Sequence, residues 1–250
     1  MRQLLVLALF VFAGTQVFAT TAEERFAKGV EAFESGDYQK AIDTWKALEE
    51  QGLESYELYY NLGDAYFKKD AFPSAILYFE KALKYKPFSK EAKNNLKLAN
   101  KRIIKRIKPL PEFFLKRAWQ GLRDVFSSNT WSWLALVLFW LGIGMIVTRL
   151  LDWKKGRWQG SYVLGGGLVS VALLFLLLGY SRGNFEEDSR KAIVLKSGIE
   201  LRTAPESTVE VMELPEGTKL QIIDRIGEWD KVEAPNGEVG WINEGDAVRI

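Results

Sequence analysis

The chain has 250 residues, long for one domain and suited to two small ones with connecting material. It contains neither Cys nor His, which removes disulfides, thiol nucleophiles, the common zinc ligand sets and every Ser-His-Asp or Cys-His arrangement. The net charge of +2 averages unlike parts: Lys101–Thr130 carries 8 cations and 2 anions and Trp131–Gly160 carries 4 and 1, whereas Thr20–Asn100 carries 12 and 14 and Ser161–Ile250 carries 9 and 15.

At the start, MRQLLVLALFVFAGTQVFATTAEE sets Arg2 before an apolar run from Leu4 to Ala13, with Val17 and Ala19 where a signal peptidase reads small residues. Residues 1–19 are therefore expected to be a signal peptide, cleaved after Ala19 or kept as an anchor. Either form exports the segment C-terminal to it.

Residues 20–108 carry a repeat. From Tyr56 the chain reads YELYYNLGDAYFKKDAFPSAILYFEKALKYKPFS, 34 residues that resemble a tetratricopeptide repeat at Tyr59, Leu62, Gly63, Tyr66, Ala75, Phe79, Ala82 and Pro87. A looser copy from Ala22 puts Gly29, Ala32, Ala41, Trp45 and Leu48 in the corresponding places. Repeats are expected over 22–55 and 56–89, followed by a closing helix over 90–107 whose seam is Ala92, Leu96, Ala99, Ile103 and Ile107. Two repeats fall below the usual three, so the array is expected to be marginal unless a partner or the membrane supports it. The resemblance implies a concave partner groove lined by Phe26, Val30 and Phe33, then Glu57, Tyr60, Asp64 and Phe67, then Asn94 and Leu98. Phe26 and Phe33 fit a core role equally well. Such a groove suits a helix or an extended peptide. Phe26 and Val30 stand where relatives that clamp a terminal carboxylate carry Lys and Asn, so a free chain terminus is not the expected ligand.

Residues 109–130 form a basic connector. After Pro109 and Pro111 an amphipathic helix is expected from about Glu112, with Phe114, Leu115, Ala118, Leu122, Val125 and Phe126 on one side and Lys116, Arg117, Gln120, Arg123 and Asp124 on the other. It fits an interfacial helix on anionic membrane lipids, or a connector packed on the protein itself.

Two uncharged runs follow, 22 residues from Ser127 to Thr148 and 23 from Gln159 to Ser181. Each is long enough for a transmembrane helix, expected at 131–150 and 161–180. Trp131, Trp133, Trp153, Trp158, Tyr162 and Tyr180 bracket them as an interfacial belt does. Small residues, including the pairs Ser161/Gly165 and Gly166/Ser170, permit close helix contact. The loop 151–160, with Arg149, Lys154, Lys155 and Arg157 at or near it, is expected in the cytosol by the positive-inside rule. An exported N-terminus and two spans then leave both soluble parts in the periplasm, at the inner membrane.

After a linker over 181–190, residues 191–250 change to short β-type runs, with turns at Gly217, Gly227 and Asn236-Gly237. Leu201-Arg202-Thr203-Ala204-Pro205, Glu216-Gly217-Thr218, Trp229-Asp230-Lys231-Val232 and Gly240-Trp241-Ile242 resemble a bacterial Src-homology-3-like barrel. That resemblance implies peptide or cell-wall binding in a barrel groove, with Trp229 and Trp241 as its residues; either tryptophan can equally serve as packing.

The fold class expected is thus a multi-domain membrane protein: an α-helical repeat array, a two-helix transmembrane hairpin and a small all-β barrel. In this order the segments resemble the BatE-like family of the bacterial aerotolerance operon. The resemblance implies an inner-membrane protein working with membrane proteins that carry von Willebrand factor A domains, with a MoxR-type ATPase as a further, cytosolic associate; the expected function is a non-enzymatic scaffold without a cofactor. A peptidoglycan-binding sensor or anchor is the alternative. No catalytic residue, metal set or phosphate loop is found, and nucleic acid is not an expected partner.

Overall fold

Five helices open the described chain: α1 (residues 22–34), α2 (Tyr38–Glu50), α3 (Tyr56–Lys68), α4 (Phe72–Tyr85) and α5 (Lys90–Arg102). The computed structural model describes residues 22–111, 113–151, 160–187 and 190–250. The expected signal peptide and the cations Lys154, Lys155 and Arg157 lie outside them. Side-chain caps begin three of these helices, with Asp37, Ser55 and Ser89 accepting from the backbone N–H of Lys40, Leu58 and Ala92. Pro73 in the first turn of α4 removes a donor that no helical carbonyl could meet.

The two helices of each repeat approach through a glycine. A Cβ at Gly29 would lie 2.2 Å from Trp45 Nε1, and one at Gly63 would lie 2.6 Å from the Phe79 ring. Trp45, Phe79, Leu48, Leu58, Leu62 and Ile76 are fully buried around these crossings. The aromatic residues of the repeat pattern are thus the packing material between helices.

α5 ends at Arg102, short of the expected 107, and Ile103 is already extended at φ −75°, ψ 119°. Spacings of four and three hold through Ala99. Ile103 and Ile107 are then buried by an extended strap rather than by another turn. Ile103 joins the repeat core, Ile107 packs against the core of the C-terminal sheet, and the Leu110 N–H donates to the Pro235 carbonyl at 2.9 Å.

That sheet has seven antiparallel strands: β1 (Lys191–Val194), β2 (Ile199–Arg202), β3 (Glu210–Leu214), β4 (Lys219–Ile226), β5 (Trp229–Glu233), β6 (Val239–Asn243) and β7 (Ala247–Arg249), in the order β3-β2-β6-β5-β4-β1-β7. Alternation puts Leu201, Leu220, Ile222, Val232 and Ile242 in its core. Gly217, Gly227 and Gly237 take φ of 75°, 59° and 85° at the turns, a region that favours glycine.

Repeats and sheet form one compact unit, and residues 111–188 form a second. Within the first, Ile193 of β1 is fully buried in the core of the repeats, with Leu195 and Ile250 packed against it. Ile76 of α4 and Ile103 cover Gly217, where a Cβ would lie 3.0 Å from the Cδ1 of each. Lys219 pairs with Glu80 at 2.6 Å, Lys105 with Glu213 at 3.7 Å, and Lys84 Nζ donates to the Ile250 carbonyl at 3.3 Å. The chain's own sheet thus packs on the repeat array through Ile193, Leu195 and Ile250.

The second unit comprises α6 (Phe114–Arg123), α7 (Ser128–Leu151) and α8 (Gly160–Glu187). α7 and α8 are long and apolar enough to cross a membrane. Most of their large apolar side chains point outward, as Val137, Trp140, Leu141, Val163, Leu173 and Leu177 do; a soluble core helix would bury them. Gly142 and Gly165 make the closest helix contact, a Cβ on Gly142 falling 2.8 Å from the Gly165 carbonyl oxygen. Gly166, by contrast, faces open space, so the pair Gly166/Ser170 is not the packing site. α8 runs on through Glu187, where a linker from 181 was expected.

Trp131 is buried rather than part of an interfacial belt. Its indole N–H donates to the Arg123 carbonyl at 2.9 Å, and its ring meets Phe126 and Phe175 edge-on. Arg123 is not on an outward polar face either. It pairs with Asp124 at 2.7 Å and lies 4.1 Å from the Phe185 ring centre, while Arg182 reaches Asp124 at 3.3 Å. The Trp119 N–H donates to Ser181 Oγ at 3.2 Å. These contacts hold α6 on the helix pair, leaving Phe113, Phe114, Leu115 and Leu122 exposed.

Candidate partner groove

The expected groove positions divide into three groups. Phe26 and Phe33 are half-buried and lean on Trp45, with ring centres 6.0 and 6.1 Å away, and Phe33 also meets Tyr38 edge-on at 5.3 Å. The Trp45 indole N–H donates to the Phe26 carbonyl at 3.2 Å. These two phenylalanines, with Val30 beside them, are partly committed to the first repeat's own packing.

On α3, Tyr60 and Asp64 are brought to one residue of α5. Asn95 Nδ2 donates to Asp64 Oδ1 at 2.7 Å and lies 3.1 Å from the Tyr60 hydroxyl. Tyr60 stacks on Tyr56 at 5.6 Å and 22° and is backed by Phe79 at 6.0 Å. Burial, with the Asp64 charge next in weight, pushes the Tyr60 phenol up to about 12. Burial likewise raises the Asp64 carboxyl above its ordinary value, against the lowering effect of its Asn95 and Tyr60 hydrogen bonds.

At the rim, Glu57 pairs with Lys86 at 2.6 Å, and the Lys86 ammonium lies 4.3 Å from the Tyr56 ring centre. Phe67 packs edge-on against Phe72 at 5.5 Å. Asn94 and Leu98 stand exposed on α5, Leu98 by 48%. Asn95, one position from the expected Asn94, is the residue the sequence reading missed. Its signal was present: it falls three after Ala92 and four before Ala99, a polar residue inside the apolar seam.

A second polar cluster ties α2 to α4. Glu49 accepts from Lys81 at 2.6 Å, from Lys46 at 2.9 Å and from the Tyr78 hydroxyl at 2.9 Å, while Tyr78 stacks on Tyr66 at 5.3 Å and 4°. Burial pushes the Glu49 carboxyl up, but these donors outweigh it and hold the group below its ordinary value. Burial and the Glu49 charge also drive the Tyr78 phenol well above the usual range. This cluster's ion pairs and hydrogen bonds join α2 to α4.

In the sheet, the pairings Lys231↔Trp241 and Arg202↔Trp241 gather Trp229, Lys231, Trp241 and Arg202 opposite the inward Asp230, Val232 and Ile242. The Arg202 guanidinium is 5.6 Å from the Trp229 ring centre and the Lys231 ammonium 5.8 Å from that of Trp241. Trp229 is half-buried. Trp241 is buried at 9% exposure and does not line an open groove. Asp230 takes a two-pronged contact from Arg225, at 2.8 and 3.2 Å, and a third from Arg249 at 3.5 Å.

Residues 26–91 match the tetratricopeptide repeat family. No curated protein matches the chain. The repeats suggest a role in protein–protein interaction, and the face built from α3 and α5 is where accessible and half-buried side chains of mixed chemistry meet.

Proposed function

We propose that the chain is a non-enzymatic, membrane-anchored scaffold whose repeat groove holds a segment of a partner protein. The observation that supports this reading is the hydrogen-bonded set Tyr60, Asp64 and Asn95, which joins α3 to α5 with Leu98 exposed one turn beyond Asn95, within a repeat of a kind that suggests protein binding. In this reading α7 and α8 cross the inner membrane and residues 152–159 with Arg149 stay in the cytosol. The repeats and the sheet then work together in the periplasm. Their shared core at Ile193 supports this arrangement, since two modules packed together must lie on one side, as an even number of crossings allows. The sheet serves as a Src-homology-3-like module. The resemblance to BatE-like proteins names the partners: membrane proteins with von Willebrand factor A domains, and a MoxR-type ATPase as a cytosolic associate, in aerotolerance or stress response.

Two measurements test this. Capture from solubilised membranes with the full chain should recover a partner that Leu98→Asp loses by at least about tenfold, an effect on the scale of one buried apolar contact. Unchanged recovery would count against the groove. Because the chain has no cysteine, single substitutions report sidedness cleanly. Lys97→Cys and Lys196→Cys should react with an impermeant maleimide on spheroplasts, and Lys155→Cys only after lysis; any other pattern overturns the orientation.

The gathering of Trp229 and Arg202 on the sheet's outer face favours a second reading, a peptidoglycan-binding sensor or anchor. Co-sedimentation of the full chain with purified cell wall, lost in Trp229→Ala, separates it from the first.

A further inference from the structure

We infer that the segment held in the repeat groove presents a lysine or arginine, its cation on Asp64 and its aliphatic stem along Tyr60. This rests on the reading of the groove as the partner-binding face and adds the partner's chemistry.

Charge complementarity inside this molecule points to that cation. Three carboxylates half-buried or buried elsewhere in the same unit are met by cations, Glu49 by Lys81 and Lys46, Glu80 by Lys219 and Asp230 by Arg225 and Arg249, whereas the half-buried Asp246 caps the Asn243 backbone N–H. Asp64 is held only by the Asn95 amide and the neighbouring Tyr60 phenol; among the described residues no lysine or arginine forms an ion pair with it, and Lys68 acts on it through space alone. A carboxylate fixed by neutral donors and removed from water binds a cation more strongly than a solvated one does, because the aligning and desolvation are already done.

The molecule also displays the arrangement it lacks here. One turn earlier on α3, Lys86 lies 4.3 Å over Tyr56 and pairs with Glu57 at 2.6 Å. Tyr60, half-buried against Tyr56 and Phe79, again sets an aromatic ring near a carboxylate, that of Asp64, with the cation still to come from outside. Leu98, exposed one turn beyond Asn95 on α5, supplies an apolar contact on that side. The occupant that fits is a basic residue bordered by apolar ones on another protein.

The test is selection of a displayed library of random 12-residue peptides on the full chain in nanodiscs, wild type against Asp64→Asn and Leu98→Asp. Wild type should enrich peptides with one recurring Lys or Arg among apolar residues. In a synthetic copy, replacing that residue by norleucine should weaken binding about tenfold to wild type and less than about twofold to Asp64→Asn. Enriched peptides without the basic residue, or an equal norleucine penalty in both proteins, overturn the charge assignment while leaving the groove intact. Binding that Leu98→Asp does not reduce overturns the groove reading itself. Enrichment of nothing by wild type counts against both.

Discussion

Ile76→Ala tests whether the repeats and the sheet are one cooperative body. Ile76 is 1% exposed on α4 and packs over Gly217 at the turn between β3 and β4. The substitution removes three carbons, about 2.4 kcal/mol of transfer free energy at roughly 0.8 each, and the cavity left in a rigid setting brings the loss to about 3.5 kcal/mol. For a unit of this size that lowers the melting temperature by about 10 °C. In hydrogen exchange on the full chain in detergent, core amides should lose about two and a half decades of protection, one decade per 1.4 kcal/mol. The loss should be the same in α3 and in β4–β5, because Ile76, Ile103 and Ile193 belong to one core. Loss confined to the helices, with the sheet's protection unchanged, would refute the shared core and return the chain to two independent modules.

Trp131→Phe keeps the ring contacts but leaves the Arg123 carbonyl without its donor, at about 1–3 kcal/mol; exchange in α6 should speed up at least about fivefold while α4 is unaffected. Asp230→Asn should lower sheet stability by about 1–3 kcal/mol in urea titration, a range held down because Arg225 is well exposed. Glu49, held below its ordinary 4.5, contributes stability that is full above that value and fades as pH falls through the lower folded one; Glu49→Gln should therefore flatten the acid limb of a pH–melting curve. Asp64 has the opposite sign: its raised value favours the protonated form, a gain complete below 3.8 and lost as pH rises, so Asp64→Asn should melt above wild type at pH 7 and alongside it near pH 3.

The repeat and its crossings were legible because glycine and aromatic positions answer a local demand: Gly63 against Phe79 and Gly29 against Trp45 lie within one repeat length. The strand pattern and turn glycines of the sheet were legible for the same reason. What escaped were pairings between distant segments. The seam through Ile103 and Ile107 read as helix because burial alone sets the spacing, and nothing local says that the burying surface is a sheet. Trp131 read as a belt residue because a tryptophan beside an apolar run has the same sequence whether it meets lipid or the Arg123 carbonyl. Of the expected groove positions, Tyr60 and Asp64 meet Asn95 rather than Asn94, the residue that a helix register carried across from the preceding repeat singles out.

The seat of Ile193 against α4 sets a schedule for biosynthesis. The α4 surface leaves the ribosome more than a hundred residues before the strand that covers it, and two long apolar helices are made in between. At about 5–20 residues per second, that surface stays greasy and bare for about 6–23 seconds. A holding chaperone should find nascent chains in that interval, and truncations upstream of residue 191 should remain its clients.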